Sequence, residues 1–310
     1  MKSGASHRLK VEQYPFSNAT AASLIYNSEA YLSSYPTGNL YRFSLLKKGE
    51  EVTFIHFYIE GSEAENALYS GIASFDGKQV NSENITLLMT SLKEWGLEHG
   101  IKYFVIKCAP CFYYNDGMIL NDAMLFSGAE MSVSELNQHI AVTNSDYMSL
   151  LKKNEKKRLR KCHKNGFTFR KLDVTFLPEA YKIIKDNRDL KGFPMTMSYQ
   201  GLLKMFKAFP DRYLLFGVFD DDKLIAVAVS ILVSDQVLYN FYHGDDFNYR
   251  THSPIVMILE GVYSFCQTEN IQFLDLGISS VTGKVNEGLY AFKQNCGAIE
   301  TKRNLITLNV

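Results

Sequence analysis

The order of apolar runs in the C-terminal half is the feature that most restricts the fold of this chain. Three β-rich runs, at residues 213–219, 223–233 and 236–242, are separated by short polar turns, which predicts an antiparallel meander. Apolar residues then recur at helical spacing from about Pro254 to Gln267, and the segment IQFLDLG that follows is typical of a short buried strand. This order predicts an α/β (α+β) unit with a mostly antiparallel sheet.

The N-terminal half repeats this order of elements. The segments NLYRFSLL, VTFIHFYIE and NALYSGIAS are β-rich, and the turn KKGEE separates the first two. A helix is expected over about residues 83–98, before the strand IKYFVIK. The repetition predicts a duplicated fold, with one domain at residues 1–140 and a second at 141–310.

Composition bears on the class of protein more than on the fold. The 310 residues are 46% hydrophobic, which is enough for two cores of ordinary size. No apolar run approaches the roughly 20 residues of a membrane span, and the N-terminus MKSGASHRLK has no signal-peptide pattern. A cytoplasmic protein without a membrane span is therefore expected.

The five cysteines argue against a secreted disulfide framework, because their number is odd and the chain is long. Cys108 and Cys111 have the spacing of a redox or zinc pair, but the sequence offers no second pair and no nearby histidine pair. We expect two incidental thiols at a strand end and no metal. The sequence also has no Walker loop, no HExxH and no GxSxG motif.

The two halves of the chain differ in net charge, although the total is zero. Residues 1–144 hold 10 Lys and Arg against 15 Asp and Glu, and residues 145–310 hold 23 against 18. A polyanionic ligand such as CoA phosphates, a nucleotide-linked substrate or tRNA is therefore expected on the C-terminal half. The run from Lys152 to Lys164 is strongly basic, and it is interpreted either as a solvated helix face or as a phosphate-binding surface.

The stretch from Ile271 to Asn304 carries the most specific pattern. Its LDLG followed by GLYAFKQNCGA resembles the "DLG … GL-x-x-FK-x-x-x-G" signature of the FemABX-like branch of the GNAT superfamily, and NEKKRLRKCHKNG resembles the basic helix that opens the C-terminal domain of these proteins. The resemblance implies a bacterial acyltransferase with two tandem GNAT-like domains, each a central mixed, mostly antiparallel sheet flanked by helices. A short helix and a final hairpin are expected to close the chain.

Lys293 and Asp275 are the predicted catalytic residues. Lys293 falls where many acetyltransferases have a tyrosine that protonates the departing thiolate, and an ammonium there would stabilise the oxyanion of a tetrahedral intermediate. The alternative is a solvated lysine on a helix face. Asp275 ends a strand and would engage the acceptor amine, which must lose its charge before it attacks. The alternative is an aspartate that caps loop N–H groups.

The predicted donor-binding residues lie around the start of the long helix. Arg250, Thr251 and Ser253 are expected to contact donor phosphate, and Ser253 is also expected to cap the helix that begins with Pro254. The glycines that let backbone N–H groups cradle a pyrophosphate are absent from this stretch, which weakens CoA as a donor. The remaining donor-site candidates are Tyr242, His243 and Phe292.

Three functions remain open on the sequence. The first is N-acyl transfer from acyl-CoA (acetyl-CoA) to an amine, favoured because the chain has no long heptad-patterned insert. The acceptor would be a small-molecule amine, an amino-sugar or another cell-envelope precursor. The second is aminoacyl transfer from tRNA, and the third is a catalytically silent binding protein. The N-terminal domain is expected to narrow the acceptor cleft, and the oligomeric state is left open.

Overall fold

The computed structural model describes residues 7–17, 22–66, 75–114 and 117–310. Its strands are β1 (His7–Gln13), β2 (Leu40–Lys47), β3 (Glu50–Glu60), β4 (Glu63–Glu65), β5 (Tyr103–Lys107), β6 (Glu130–Ala141), β7 (Thr168–Leu172), β8 (Tyr213–Asp220), β9 (Lys223–Ser234), β10 (Val237–Asp245), β11 (Phe273–Ile278), β12 (Ser280–Val281), β13 (Lys284–Val285) and β14 (Ile299–Asn309). Its helices are α1 (Glu29–Leu32), α2 (Ser82–His99), α3 (Gly117–Phe126), α4 (Tyr147–Leu150), α5 (Lys153–Lys164), α6 (Leu177–Leu190), α7 (Tyr199–Ala208), α8 (Ile255–Thr268) and α9 (Glu287–Asn295).

Contacts between residues divide the chain into two compact units. Unit 1 comprises Met1–Leu136, Thr282–Lys284 and Lys302–Val310, and unit 2 comprises Asn137–Val281 and Val285–Thr301. The final strand, β14, therefore contributes most of its residues to the unit that is otherwise built from the N-terminal part of the chain.

Unit 2 contains the predicted meander. Strands β7, β8, β9 and β10 pair in succession, all antiparallel, whereas β10 pairs with β11 in parallel through the crossover helix α8. The end of β6 adds an antiparallel partner on the other side of β11. Nearly every residue of β9 is buried, as expected for a central strand that is covered on both faces.

Helix α8 organises the core of unit 2. Its sequence is apolar on most sides, and Val256, Ile258, Val262 and Tyr263 are fully buried against the sheet. Each aliphatic side chain buried in this way contributes roughly 1.5–3 kcal/mol of transfer free energy. The helix therefore packs firmly against the sheet that carries the parallel strands β10 and β11.

Unit 1 repeats the same pairing order. Strands β1 to β4 pair in succession and antiparallel, β4 pairs with β5 in parallel through α2, and β14 pairs antiparallel with the far edge of β5. The two-residue turn at Lys48 and Gly49 has positive φ at both positions, as a tight β-hairpin requires. The duplicated, mostly antiparallel fold predicted from the sequence is confirmed.

Two local predictions are wrong, and one falls outside the described residues. The chain ends in a single strand rather than a hairpin, because Asn304, Ile306 and Leu308 alternate inward along β14 without a turn. Ser253 does not cap α8, because it adopts a left-handed conformation with a φ of 52° and its hydroxyl donates to the carbonyl of Arg250. The predicted strand NALYSGIAS falls almost entirely on residues 67–74, which are not described.

Candidate active site

A cleft opens in unit 2 where β10 and β11 stop pairing. Their parallel register runs over three residue pairs and ends at Tyr239 and Asp275, yet β10 continues to Asp245 and β11 to Ile278. Open sheets bind ligands in such a crevice beyond the carboxyl ends of parallel strands. A cavity of about 620 Å³ lies here, lined by β10, β11, α9, the end of α6 and the start of α8.

Basic side chains dominate the charge of the cleft. Among the described residues that line the cleft, the cationic ones are Arg158, Arg188, Lys191, Arg250 and Lys293, and the acidic one is Asp245. A concave surface with this excess of positive charge attracts polyanions. Apolar and aromatic groups complete the wall: Phe193, Tyr239, Phe241, Tyr242, Ile255, Leu276, Leu289 and Phe292.

Several of these cations are held in place by neighbouring groups. Arg188 donates from Nε and Nη2 to the carbonyl of Pro194 at 3.1 and 2.8 Å, and its guanidinium lies over the ring of Tyr242. Arg158 donates to both carboxylate oxygens of buried Glu155 at 2.8 and 2.9 Å. Guanidinium groups fixed in this way lose less side-chain entropy when they bind an anion.

Lys293 is the most unusual residue of the cleft. Its side chain projects from α9 and is only 3% exposed, and its ammonium donates to the carbonyls of Gly277 and Ile278, each at 2.9 Å. Burial lowers the pKa of Lys293 to about 8, while the negative charge of Asp275 opposes that shift. The residue is therefore mostly charged at neutral pH and is not a solvated surface lysine.

Asp275 is fully buried beside the cleft rather than in its wall. Its Oδ1 accepts hydrogen bonds from the Asn137 amide and from the backbone N–H of Gly277, both at 2.8 Å. These bonds hold the turn after β11, where Gly277 has a φ of 73°. The negative charge of Asp275 also acts on Lys293, and the role of Asp275 in engaging the acceptor amine stays a prediction.

The structure brings most of the other predicted residues together. Arg250, Ser253, Tyr242, His243 and Phe292 all line the cleft with Lys293. Thr251 does not line it: its side chain lies by His252, and its carbonyl accepts a hydrogen bond from Lys161 at 3.1 Å. Roles in donor binding or catalysis stay predictions for all of these residues.

The lining residues that the sequence did not reveal include Arg158 as an individual side chain, Arg188, Lys191 and Asn240. Arg188 and Lys191 stand in the segment NRDLKG at the end of α6, which resembles any polar helix end. Only the packing of α6 beside β10 brings them to the cleft. Asn240 interrupts the apolar and aromatic run from Val237 to Tyr242, and this polar residue was the available signal.

In the described part of the chain, no three His, Cys, Asp or Glu side chains are placed to hold a metal ion together. None of the described helices combines the length and the apolar character that a membrane span requires.

The repeated pairing order and the cleft between the diverging strands define a tandem GNAT-like fold of the FemX kind, as the sequence resemblance implied. Neither a protein-family model nor a curated protein sequence matches the chain. Among solved structures, FemX matches with a TM-score of 0.69 at 12% identity, covering 92% of each chain. A conserved protein of unknown function from Bacteroides thetaiotaomicron matches with a TM-score of 0.55 at 9% identity, covering 90% of each chain.

A further match is L-PGS from Bacillus licheniformis, with a TM-score of 0.51 at 10% identity, over 87% of this chain and 84% of that chain. At identities this low, the matches establish the shared fold.

Proposed function

We propose that this protein transfers an aminoacyl group from the 3′ ester of a charged tRNA to an amine, with Lys293 at the reacting carbonyl. The observation that carries the proposal is the buried ammonium of Lys293 in a cleft with a cationic lining. Such a group stabilises negative charge that develops only during the reaction. The FemX-like fold supports a transferase of the acyl or aminoacyl class.

The start of α8 favours tRNA over CoA as the donor. A CoA pyrophosphate needs several free backbone N–H groups at a helix N-terminus. Here Pro254 has no N–H, and the amides of Val256 and Met257 already donate to the carbonyls of Ser253 and Pro254. These two amides and Pro254 therefore offer no free N–H group to a pyrophosphate.

The outer face of α5 is a second reason to favour tRNA. Lys153, Lys157, Arg160 and Lys164 are all exposed, and their spacing of four, three and four residues places them in one row. The opposite face carries the buried residues Glu155, Leu159 and Cys162. We call the exposed row the basic stripe; it suits the regularly spaced phosphates of a nucleic acid.

The proposed reaction forms one bond and breaks one. The acceptor nitrogen, once deprotonated, attacks the ester carbonyl, and the tetrahedral oxyanion lies against the Lys293 ammonium. The C–O bond to the tRNA ribose then breaks. The ribose oxygen takes up one proton, and the second proton of the former ammonium passes to solvent. The cleft and the basic stripe hold the reactants close together, and this proximity contributes to the rate acceleration.

The acceptor is proposed as an amine on a cell-envelope or amino-sugar precursor, which is what the resemblance to FemABX-like proteins implies. Acyl-CoA, the donor favoured by the sequence alone, is the second candidate, because Arg250 lines the cleft at the start of α8 and can meet a phosphate there. The two donors differ in the surface they need: CoA needs only the cleft, and tRNA needs the basic stripe as well.

A titration at two salt concentrations separates these donors. Charged tRNA should bind wild-type protein, and its affinity should fall steeply between low and physiological salt as phosphate contacts are screened. Arg250→Glu should weaken binding, since a charge-assisted contact is worth roughly 1.5–3 kcal/mol and reversal adds repulsion. Lys182→Glu on α6 is the matched control. Saturable binding of acetyl-CoA with a flat salt response for tRNA would support the second candidate instead.

A further inference from the structure

Asn240 and His243 share one face of β10 because the strand contains an irregularity between them. Residues three apart normally point to opposite faces of a strand. In β10 the register shifts between Asn240 and Tyr242, so that Asn240 lies opposite Ser230 and His243 lies opposite Ala228. Ser230 and Ala228 are two residues apart on β9 and share a face, and therefore so do their partners. Both Asn240 and His243 line the cleft.

The two side chains meet through nitrogen atoms. The Asn240 amide nitrogen lies 3.5 Å from Nδ1 of His243. With the amide in this orientation its nitrogen donates and Nδ1 accepts, and a neutral imidazole then carries its hydrogen on Nε2. Asn240 is only 5% exposed, and its Oδ1 has no hydrogen-bond partner in the described part of the chain. His243 lines the cleft, where its ring can meet a ligand.

The surroundings keep this imidazole neutral. Burial lowers the pKa of His243 to about 4, and the positive charges of Lys293 on α9 and of Lys191 and Arg188 at the end of α6 act in the same direction. Asp245, on the same strand, is an acidic residue of the cleft wall. At neutral pH the ring therefore carries one hydrogen, and its position decides whether Nε2 donates or accepts.

We infer that Asn240 positions the hydrogen of His243 on Nε2, so that the imidazole presents an N–H donor to the acyl carbonyl in the cleft that also holds Lys293. Asn240 is then a positioning residue, and His243 is a catalytic residue beside the ammonium. Two hydrogen-bond donors, the neutral imidazole of His243 and the charged ammonium of Lys293, would bind the same oxyanion. This inference rests on the proposed transfer reaction, and it assigns no further proton transfer to His243.

The position of the hydrogen is measurable without any substrate. Long-range ¹H–¹⁵N NMR of protein labelled at its histidine rings distinguishes the two tautomers, and the signals of His243 are assigned by their loss in His243→Gln. We expect the hydrogen on Nε2 at pH 7. A hydrogen on Nδ1, or a doubly protonated ring, would overturn the inference whether or not the protein transfers an acyl group.

Asn240→Asp reverses the polarity of the contact with almost no change in shape. A carboxylate only accepts, so the hydrogen should move to Nδ1, and kcat should fall about a hundredfold with little change in KM, as for loss of one oxyanion donor. Ser230→Ala, which alters the buried neighbour opposite Asn240, is the matched control and should leave both tautomer and kcat unchanged. A hydrogen that stays on Nε2 in folded Asn240→Asp would refute the positioning role. By contrast, an Nε2 hydrogen in a protein inactive with every donor would refute only the proposed function.

Discussion

Lys293 holds its ammonium almost out of contact with solvent, and this costs folding free energy. The carbonyls of Gly277 and Ile278 and the charge of Asp275 offset part of that cost. Because its pKa is about 8 in the folded state and about 10.4 in an unfolded chain, the unfolded state binds more protons between these values. Folding stability contributed by this group must therefore rise with pH in that window.

Lys293→Met tests this linkage directly. The free energy of unfolding of wild type, measured relative to the variant by urea titration, should increase between about pH 8 and pH 10.4, by on the order of 2–3 kcal/mol at most. An exposed lysine changed in the same way, Lys157→Met, should show no such trend. A difference between wild type and Lys293→Met that is independent of pH would show that the lysine is not buried as described.

The turnover number should depend on pH in the opposite direction to folding stability. If the ammonium is the form that stabilises the oxyanion, kcat should fall as pH rises through about 8, because deprotonation removes the charge. A pH–rate profile measured up to pH 9.5 checks this expectation. A kcat that keeps rising over that range would assign the function of the cleft to another group.

At the scale of secondary-structure elements, the sequence predicted most of what carries the cleft. The meander, α8 and the strand that ends in LDLG have strong periodicity, because one or both faces are buried. The conformation of Ser253 was not predictable in this way. Serine before proline is a common helix start, but here the preceding 3₁₀ turn, Phe247–His252, ends at Ser253 and imposes a left-handed conformation.

The turn after β11 depends on the absence of a side chain at Gly277. A Cβ at this position would approach the ring of Tyr239 to 3.0 Å, and the φ of 73° at Gly277 disfavours other residues. We expect Gly277→Ala to cost about 1–3 kcal/mol of stability and to lower transfer, since the same turn carries a carbonyl that binds Lys293. Gly288→Ala on α9, with 3.7 Å to the nearest atom, should be neutral or slightly stabilising. Equal thermal stability of the two variants would contradict this account of the turn.

The basic stripe of α5 gives a prediction for a whole element. The double variant Lys157→Glu with Arg160→Glu should leave folding intact, because both side chains are exposed. It should weaken tRNA binding and lower the slope of log affinity against log salt concentration by an amount that corresponds to about two phosphate contacts. Lys182→Glu with Lys185→Glu on α6 is the matched pair. If both double variants reduce the affinity for tRNA equally, binding depends only on the overall charge of the protein, and the basic stripe is a solvated helix face.

At the scale of the whole molecule, the C-terminal strand belongs to a unit built mainly from the N-terminal residues. Ile306 and Leu308 of β14 are fully buried in the core of unit 1, and Ile306 pairs with Ile106 of β5. Ile306→Ala should therefore destabilise the protein by about 2–5 kcal/mol, whereas Asn309→Ala, at an exposed position, should not. Equal free energies of unfolding would mean that β14 does not pack as described.

The sequence could not predict how the cleft is assembled from distant segments. The resemblance placed Lys293 and Phe292 at the site, and hydrophobic patterning placed the strands. By contrast, Arg188 and Lys191 reach the cleft only because α6 packs against β10. Asn240 and His243 lie on the same face of β10 only because the strand is irregular between them. Both effects depend on tertiary contacts, which periodicity in a single sequence does not encode.

Transfer itself is the most direct test of the central claim. Wild-type protein and Lys293→Met are mixed with charged tRNA or acetyl-CoA and with hydroxylamine as a generic amine acceptor, and hydroxamate formation is followed above the uncatalysed rate. The account predicts catalysed transfer from charged tRNA, and a loss of roughly a hundred- to a thousandfold in kcat for Lys293→Met with near-native tRNA affinity. No acceleration with charged tRNA, or turnover of Lys293→Met within threefold of wild type, would contradict it.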